Sequence, residues 1–489
     1  MLTTLPDRAL LLAATGLCVI AAWCTIGYHH PDEHFQIWEF ANYKLGHIPA
    51  TDLPWEFPAQ MRPGLQPFLA YSTVLAAQKM GVEDPFLQIF FTRLLCGFAA
   101  IWVYWSWCLW LERDFKNPSS ARWLRIGLLF FWFMPYLNVR FSSENTSAIC
   151  FFGGLLLLLQ QLENQRGRIN WQMITAGFLL GISFFFRYQI AFAGIGLIAW
   201  LVFQKRLAWF SWVALVVGVL LACGLGFSAD FWLYGTWVCP PYQYFVTNVL
   251  HSDARFGTEP WWWYLNEALI DLLPPFSIAL LIFFALGIWQ KPRHVLTWCF
   301  VPFVLAHFAV EHKEMRFLFP MMLPFFFFSV AGWEFFQEKY EKKKWMLKTL
   351  AFGLWINVIL LVFWMLMPAK GMAAYSKFLW NWHEKQPASK VYFVKKEPRN
   401  HYPLNMPFYE NPAQGQASWY TEPMYRNDTM ALRSGDLMFF TEVLSPPPIA
   451  PPGFGLKRVY AYYPHWVLSL NINDWQSRTR IWAIYEVMK

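Results

Sequence analysis

Long apolar runs that recur along most of the chain leave few folds open to it. They lie near 9–27, 88–111, 123–137, 146–162, 170–186, 188–204, 208–228, 270–290, 295–311, 317–336 and 346–367, with a marginal one at 64–80. A helix needs about 20 apolar residues to cross a bilayer. In lipid, only a helix or a closed barrel satisfies its own backbone polar groups, and runs of this length read as helices. Charged residues make up 14% of the 489 positions, against about 25% in an average soluble chain, too few to coat a soluble surface. Thirty Trp residues suit the aromatic belts where lipid meets water. The expected fold is an all-α polytopic membrane protein with about 11–12 transmembrane helices. The opening segment 1–27, with Arg8 as its early cation and Ala21-Ala22 imitating a cleavage site, has features of a signal peptide. The spans that follow make it better read as a first spanning helix or uncleaved anchor.

The net charge of +8 would suggest nucleic acid in a soluble chain. Here the basic residues sit in loops between spans, as the positive-inside rule requires, and no nucleic-acid partner is expected. The basic loops are 112–125, 163–168, 205–206, 291–293 and 339–348. Placing all of them in the cytoplasm works along the whole chain if 64–80 does not fully cross, which favours a re-entrant or surface helix there. The loop 28–63, the turn 138–145, the loop 229–267 and the turn 312–316 then share the non-cytoplasmic side. The eight Cys show no CxxC pair and no metal-ligand spacing, so neither a disulfide framework nor a zinc site is expected.

The chain divides into a transmembrane domain, 1–367, and a C-terminal domain, 368–489, where Pro, Asn, Glu and Lys become common and no run is long enough to span. Short β-like runs at Lys390–Val394, Asp436–Thr441 and Arg458–Tyr463 suggest a small extracytoplasmic α/β domain, with a loop around Pro446–Pro448.

The unusual polar residues fall in the four loops assigned to one face. Directly after the first span, Pro31 suits a helix start, and Asp32 and Glu33 fall in the first turn, where the helix dipole favours anions. A plain helix-end charge explains Asp32 equally well when it is considered alone. Glu311–Arg316 packs five ionisable residues into six positions between two apolar spans. A solvated, self-paired turn is the plain reading, but charge near a membrane core usually marks function, and Arg suits phosphate. Arg140 and Glu144 are spaced to pair along a helix. Arg187 follows Phe184–Phe186 and can simply snorkel. Asp230–Pro241 and Arg255–Tyr264 combine Gly, Pro and clustered Trp, which serve either as an interfacial anchor or as a platform for a sugar or lipid.

At these residues the chain resembles the Alg9-like mannosyltransferases, glycosyltransferase family 22 of the GT-C superfamily, and most of all the branch acting on glycosylphosphatidylinositol anchors. Pro31-Asp-Glu-x-x-Gln36 with Glu39 resembles that branch's first-loop signature. Leu53-Pro-Trp55-Glu56 followed by Arg62 resembles its next piece, with Pro54 a departure. Arg140-Phe-Ser-Ser-Glu144, Asp230-x-x-x-Tyr-Gly-x-Trp237 and Phe256-Gly-Thr-x-Pro-Trp261 follow in family order. His312-Lys313-Glu314-x-Arg316-Phe317 is the most specific match, with Met315 where Phe is usual. The compact chain, without a dilysine tail or an endoplasmic-reticulum retrieval signal, fits a bacterial relative. That implies an inner-membrane protein with a periplasmic site; the alternative is an endoplasmic-reticulum membrane with a lumenal site.

The resemblance implies an inverting hexosyltransferase that takes mannose from a polyprenyl-phosphate donor, within the membrane lipid, and passes it to a glycolipid or glycan acceptor. The chemistry asks for the same groups. A carboxylate must take the acceptor proton, with Asp32 the first candidate and Glu33 the second. Developing phosphate charge must be stabilised, with His312, Lys313 and Arg316 as candidates and Arg140 and Arg187 beside them. Gln36, Trp55, Glu56, Arg62, Glu144, Asp230 and Glu314 complete the expected substrate-binding set. A monophosphate leaving group needs no cofactor, although a divalent metal is compatible with it. A transporter or flippase of lipid-linked sugars is a rival reading, and it would tolerate Asp32→Asn and Glu33→Gln better than an enzyme would. A ligase using a diphosphate-linked donor is a second rival, and a membrane scaffold carrying dead motifs is a third.

Overall fold

The apolar runs form helices, and the computed structural model describes residues 6–164, 171–205, 207–250, 257–340, 344–395, 406–410, 418–421, 432–440, 450–463, 465–478 and 483–489. In chain order the helices of the first part are α1 Asp7–Cys24, α2 Pro31–Glu33, α3 Glu39–Lys44, α4 Leu65–Lys79, α5 Pro85–Leu111, α6 Pro118–Phe130, α7 Met134–Asn138, α8 Ser143–Asn164 and α9 Trp171–Phe186. They continue as α10 Ala191–Trp200, α11 Trp209–Tyr234, α12 Pro240–Phe245, α13 Trp263–Asp271, α14 Phe276–Gln290, α15 Val295–Ala309, α16 Met322–Lys339 and α17 Lys344–Leu366. Among the described residues, seven helices are long and apolar enough to cross a membrane, and three shorter apolar helices, Trp171–Phe186, Phe276–Gln290 and Val295–Ala309, accompany them. The chain is a multi-pass membrane protein.

The run expected at 123–137 is not one helix. It breaks at Phe131, whose backbone is extended, and resumes at Met134 with Pro135 inside its first turn. Proline donates no backbone hydrogen bond and fits a helix start better than a helix interior. Asn357 supports the break by accepting from Trp132 N–H at 2.8 Å and donating to Phe130 O at 2.9 Å. The marginal run 64–80 forms α4. Its 15 residues span about 22 Å, short of a hydrocarbon core of about 30 Å. Thr92 Oγ1 donates to Thr73 Oγ1 at 3.1 Å, near the start of α5. Phe68 and Tyr71 pack on Trp232, near the end of α11.

Small residues let the helices approach closely, as packing within a membrane favours. A Cβ on Gly332 of α16 would stand 1.8 Å from Phe283 O of α14, and one on Gly287 of α14 would stand 2.0 Å from Phe328 O of α16. Backbone cannot yield as a side chain does. Gly332→Ala is expected to cost about 1–3 kcal/mol by overpacking and to lower the melting temperature in detergent. Gly224→Ala, in open space on α11, serves as the control and should leave melting unchanged or slightly raised. Equal melting of both variants would mean that the α14–α16 contact is looser than described.

The residues divide into two units, Met1–Thr25 with His29–Met367, and Ile26–Tyr28 with Pro368–Lys489. The second holds α18 Gly371–Lys385 and the strands β1 Val391–Lys395, β2 Ser418–Thr421, β3 Leu437–Phe440, β4 Gly455–Ala461 and β5 Ala483–Met488, in the order β2-β1-β3-β5-β4. β1 runs parallel to β2 and β3, while β5 is antiparallel to β3 and β4. Alternation along the strands sends Val391, Leu437, Phe439 and Ile484 toward Leu379 of α18. Tyr392, Val394, Met438, Phe440 and Val487 form a second cluster. The β-like runs at 390–394, 436–441 and 458–463 thus correspond to β1, β3 and β4. Pro446–Pro448 lie outside the described residues.

Candidate active site

The first loop begins with a short helix made by its own sequence. His30 precedes the helix and its Nδ1 accepts the Asp32 N–H at 3.3 Å, while Pro31 takes the first helical position. Through a widened turn at His34–Trp38 the chain continues into α3. The buried pair His34–Glu39, 2.8 Å apart, with Asn42 donating to Glu39 at 3.1 Å, ties this turn together.

Three further breaks bring side chains to the same place. Arg187 is extended between α9 and the turn Tyr188–Ile190 that leads into α10. Non-helical backbone at membrane depth is tolerated where it lines a cavity. Arg140 sits between α7 and α8, where Asn145 Nδ2 donates to the carbonyls of Asn138 and Arg140 at 3.0 and 2.8 Å. Arg316 is the second residue of the 3₁₀ turn Met315–Met321 before α16, which follows an extended Glu314.

One cavity results. Asp32, Glu33, Gln36 and Arg62 line it from the first loop, and Arg140, Glu144, Arg187 and Arg316 from the helical breaks. With the open solvent at its mouth it takes in about 740 Å³. Arg316 is its electrostatic centre. Nη2 donates to Asp32 Oδ2 at 2.9 Å, Nη1 donates to Glu144 Oε1 at 3.1 Å, and Nε donates to Glu314. Arg187 donates to the same Glu144 oxygen at 2.7 Å, with its guanidinium 4.9 Å from the Phe317 ring centre. Arg62 lies 3.6 Å from both Asp32 and Glu56, and Gln36 donates to Glu56 at 3.0 Å. Arg140 donates to Thr25, lies over the Tyr136 ring at 4.5 Å, and approaches Glu33 at 3.6 Å.

The two adjacent carboxylates differ in their surroundings. Glu33 is 5% exposed, accepts the His29 N–H at 2.9 Å and faces Arg140. The Asp32 side chain is 23% exposed and faces Arg316, Arg62 and His30. Burial pushes the Asp32 carboxyl up, but Arg62, the His30 contact and Arg316 outweigh it and hold the group well below the usual carboxylate range. Burial also pushes Glu314 up, and Arg316, His30 and His312 overcome it to lower that group. Burial lowers His29, with Glu33 opposing. The cavity can therefore offer an ionised carboxylate to a hydroxyl and guanidinium donors to an anion. Nε and Nη2 of Arg187 and Nε of Arg62 are buried and donate to no acceptor among the described residues.

The other expected residues stand back from the wall. Glu56 and Glu314 act on it through Arg62 and Arg316. His312 contacts Glu314 at 2.9 Å. The Lys313 ammonium donates to Val310 O, and burial lowers its pKa, with Glu259 and Glu311 opposing. Trp55 is 48% exposed. Asp230 accepts a backbone N–H from Gly64 at 2.6 Å. Arg255 and Phe256 lie outside the described residues. Sequence reasoning gave no role to His29, His30, Gln66, Tyr188, Gln189 or Tyr244, which also line the cavity. The two histidines were findable, since they adjoin Pro31-Asp32-Glu33. Tyr244, which accepts from Gln189 Nε2 at 2.6 Å, is brought in by tertiary structure alone. Among the described residues, no group of His, Cys, Asp and Glu could hold a metal ion.

Comparisons with known proteins agree with the resemblance read from the motifs. A sequence model of the Alg9-like mannosyltransferase family matches residues 9–413. GPI mannosyltransferase 3 of Yarrowia lipolytica is 25% identical over 384 residues, which cover 75% of this chain and 70% of that protein. Mannosyltransferase APTG1 of Arabidopsis thaliana is 25% identical over 326 residues, 64% of this chain and 56% of its own length. GPI alpha-1,2-mannosyltransferase 3 of Danio rerio is 25% identical over 315 residues, 60% and 53%. The chain thus spans little more than half the length of the last two. The crystal structure of ArnT from Cupriavidus metallidurans in the apo state matches with a TM-score of 0.50 and 12% identity, covering 98% of this chain and 97% of that one, and so shares the fold.

Proposed function

The chain belongs to the Alg9-like mannosyltransferase family, and on that premise we propose that it transfers mannose from a polyprenyl-phosphate donor to a hydroxyl of a glycolipid acceptor, with inversion at the sugar. The observation that carries this reading is the Asp32 carboxylate in a cavity of a membrane protein, with the guanidinium groups of Arg316 and Arg62 at 2.9 and 3.6 Å. In the reaction the acceptor oxygen attacks C1 of the mannose. Its proton passes to Asp32, the bond from C1 to the phosphate oxygen breaks, and the electron pair leaves with the polyprenyl phosphate. Asp32 is the general base. The unspent donors of Arg187 and Arg62 meet the leaving phosphate, whose charge grows as the bond breaks. Glu33 holds the loop through His29 N–H and Arg140. The names of the relatives support mannose.

The loop charges support a site on the non-cytoplasmic face. That face is the periplasm if the chain is bacterial and the lumen of the endoplasmic reticulum if it is eukaryotic.

The test is transfer of radiolabel from polyprenyl-phosphate mannose in membranes carrying the protein, compared with membranes carrying Asp32→Asn. Label in a new glycolipid with wild type, lost with the variant, supports the reading. No transfer to a broad panel of glycolipid acceptors would sink it. Excess chelator is expected to leave the rate unchanged. A monophosphate leaving group can be neutralised by guanidinium groups, and the cavity carboxylates are already paired with arginines. Loss of transfer on chelation, restored by a divalent ion, would contradict this.

A further inference from the structure

The end of α11 reaches the first loop at one place. Asp230 is fully buried, and its Oδ1 accepts the Gly64 N–H at 2.6 Å. One turn later, Tyr234 Oη accepts the Arg62 N–H at 3.3 Å and donates to Arg62 O at 2.8 Å. The fit is close, since a Cβ on Gly64 would stand 2.4 Å from Ala229 O. Three backbone groups of Arg62–Gly64 are thereby fixed to two side chains four residues apart on one helix face. The side chain of Arg62 leaves this clamped segment toward Asp32 and Glu56, 3.6 Å from each, with the Tyr244 ring 5.7 Å away. Neither Asp230 nor Tyr234 lines the cavity.

From this we infer that Asp230 and Tyr234 are positioning residues for the transfer reaction: by clamping the backbone of Arg62–Gly64 they hold the Arg62 guanidinium against Asp32 and so keep the base ionised. The inference rests on the assignment of Asp32 as base. It gives the Asp230-x-x-x-Tyr234 motif a task away from the substrate, in the electrostatics of the loop facing it. A guanidinium is useful to a carboxylate only at short range. A displacement of an ångström or two from 3.6 Å removes roughly a fifth to a third of the Coulomb interaction at fixed dielectric. The other groups facing Asp32 are His30 and Arg316, which favour its charge, and Glu144, which opposes it. Glu314 shares His30 and Arg316 with it. The clamp bonds reach the backbone of Arg62 and Gly64 and none of these groups. Loosening the clamp acts on the charge of Arg62, one of the three groups, with His30 and Arg316, that oppose burial at Asp32.

The sign follows. A base works only when deprotonated, so the rate falls below its pKa by about tenfold per pH unit. In wild type the Asp32 limb lies at acid pH, since Arg62, His30 and Arg316 hold the carboxyl below its usual range. Losing Arg62 leaves burial less opposed, and the limb moves up. The experiment is the pH profile of single-turnover mannosyl transfer in vesicles holding the full chain, for wild type, Tyr234→Phe, Asp230→Ala, Asp230→Asn and Arg62→Gln. Tyr234→Phe and Asp230→Ala are expected to move the acid limb up, as Arg62→Gln does, so that transfer at pH 4 relative to pH 7.5 falls up to about tenfold below the wild-type ratio. Asp230→Asn keeps an acceptor oxygen for Gly64 N–H and should restore the wild-type profile. Tyr234→Phe added to Arg62→Gln should move the limb no further. If Tyr234→Phe and Asp230→Ala lower the rate by one factor at every pH, the pair is merely structural and the inference is overturned. Should Asp230→Ala fail to accumulate, Tyr234→Phe, which removes one oxygen atom, carries the test. Transfer that survives Asp32→Asn overturns the base assignment itself, an outcome distinct from failure of the clamp.

Discussion

Asp32→Asn is expected to lower mannosyl transfer by about 10²–10⁴-fold, the range for a lost general base, while the protein accumulates and melts as wild type does. The substitution keeps size and shape and removes only the ability to take a proton. Arg316 retains Glu144 and Glu314 as partners, and Arg62 retains Glu56, so neither guanidinium is left buried without a carboxylate. The Asp32 side chain is 23% exposed, which limits the electrostatic cost of neutralising it. Glu33→Gln provides the contrast. That carboxylate is 5% exposed and joins the His29 backbone to Arg140, so its loss should appear first in stability. If Glu33→Gln abolished transfer with normal melting while Asp32→Asn kept it, the two roles would have to be exchanged. Rates and melting curves measured on the same preparations separate these cases.

The contrast between Asp32 and Glu33 marks how far the sequence could be read. Pro31 and the two carboxylates announce a helix start, and neighbouring charges in a membrane chain announce a site, but which carboxylate is open to the cavity depends on partners far along the chain. Arg140 and Glu144 are the clearest case. Their spacing suits a pair along one helix, yet α8 begins only at Ser143. Arg140 therefore reaches back to Thr25 and Glu33, and Glu144 takes Arg187 and Arg316 instead. The cluster Glu311–Arg316 looked like one unit and is split. Arg316 enters the cavity, Glu314 supports it from behind, and Lys313 turns to the carbonyl of Val310. A run of charges does not encode which member points where, because that is fixed by the extended backbone at Glu314 and the turn after it. The spans were legible because lipid imposes one rule on all of them. The exception, 123–137, fails at a local feature, Pro135 with the Asn357 bridge, which a mean over apolar residues cannot register.

Arg316→Ala should be the most damaging single change in the cavity. The residue is 8% exposed and its guanidinium serves carboxylates from three parts of the chain: Asp32 in the first loop, Glu144 at the start of α8 and Glu314 beside it. Removing one partner of a buried ion pair typically costs about 3–5 kcal/mol, because the other charge stays buried without compensation. Here His30, Arg62 and Arg187 remain to share the load, which places the expected loss toward the lower end. Transfer should fall below detection, since Asp32 loses its shortest contact and the phosphate-facing donors lose their frame. Arg316→Lys keeps the charge, but a single ammonium cannot match a planar fork that meets three carboxylates at once. It should recover part of the melting temperature and little of the rate. The double variant Arg316→Leu with Glu144→Leu removes a cation and an anion together. It also strands the buried Arg187, whose carboxylate partner is Glu144, so it should melt below Arg316→Leu alone and remain inactive. The measurement is melting in detergent beside label transfer for the four variants. Wild-type melting of Arg316→Ala with transfer reduced only a few-fold would mean that the three carboxylates are held apart by water rather than by this guanidinium, and the charge network would have to be redrawn around Arg187 and Arg62.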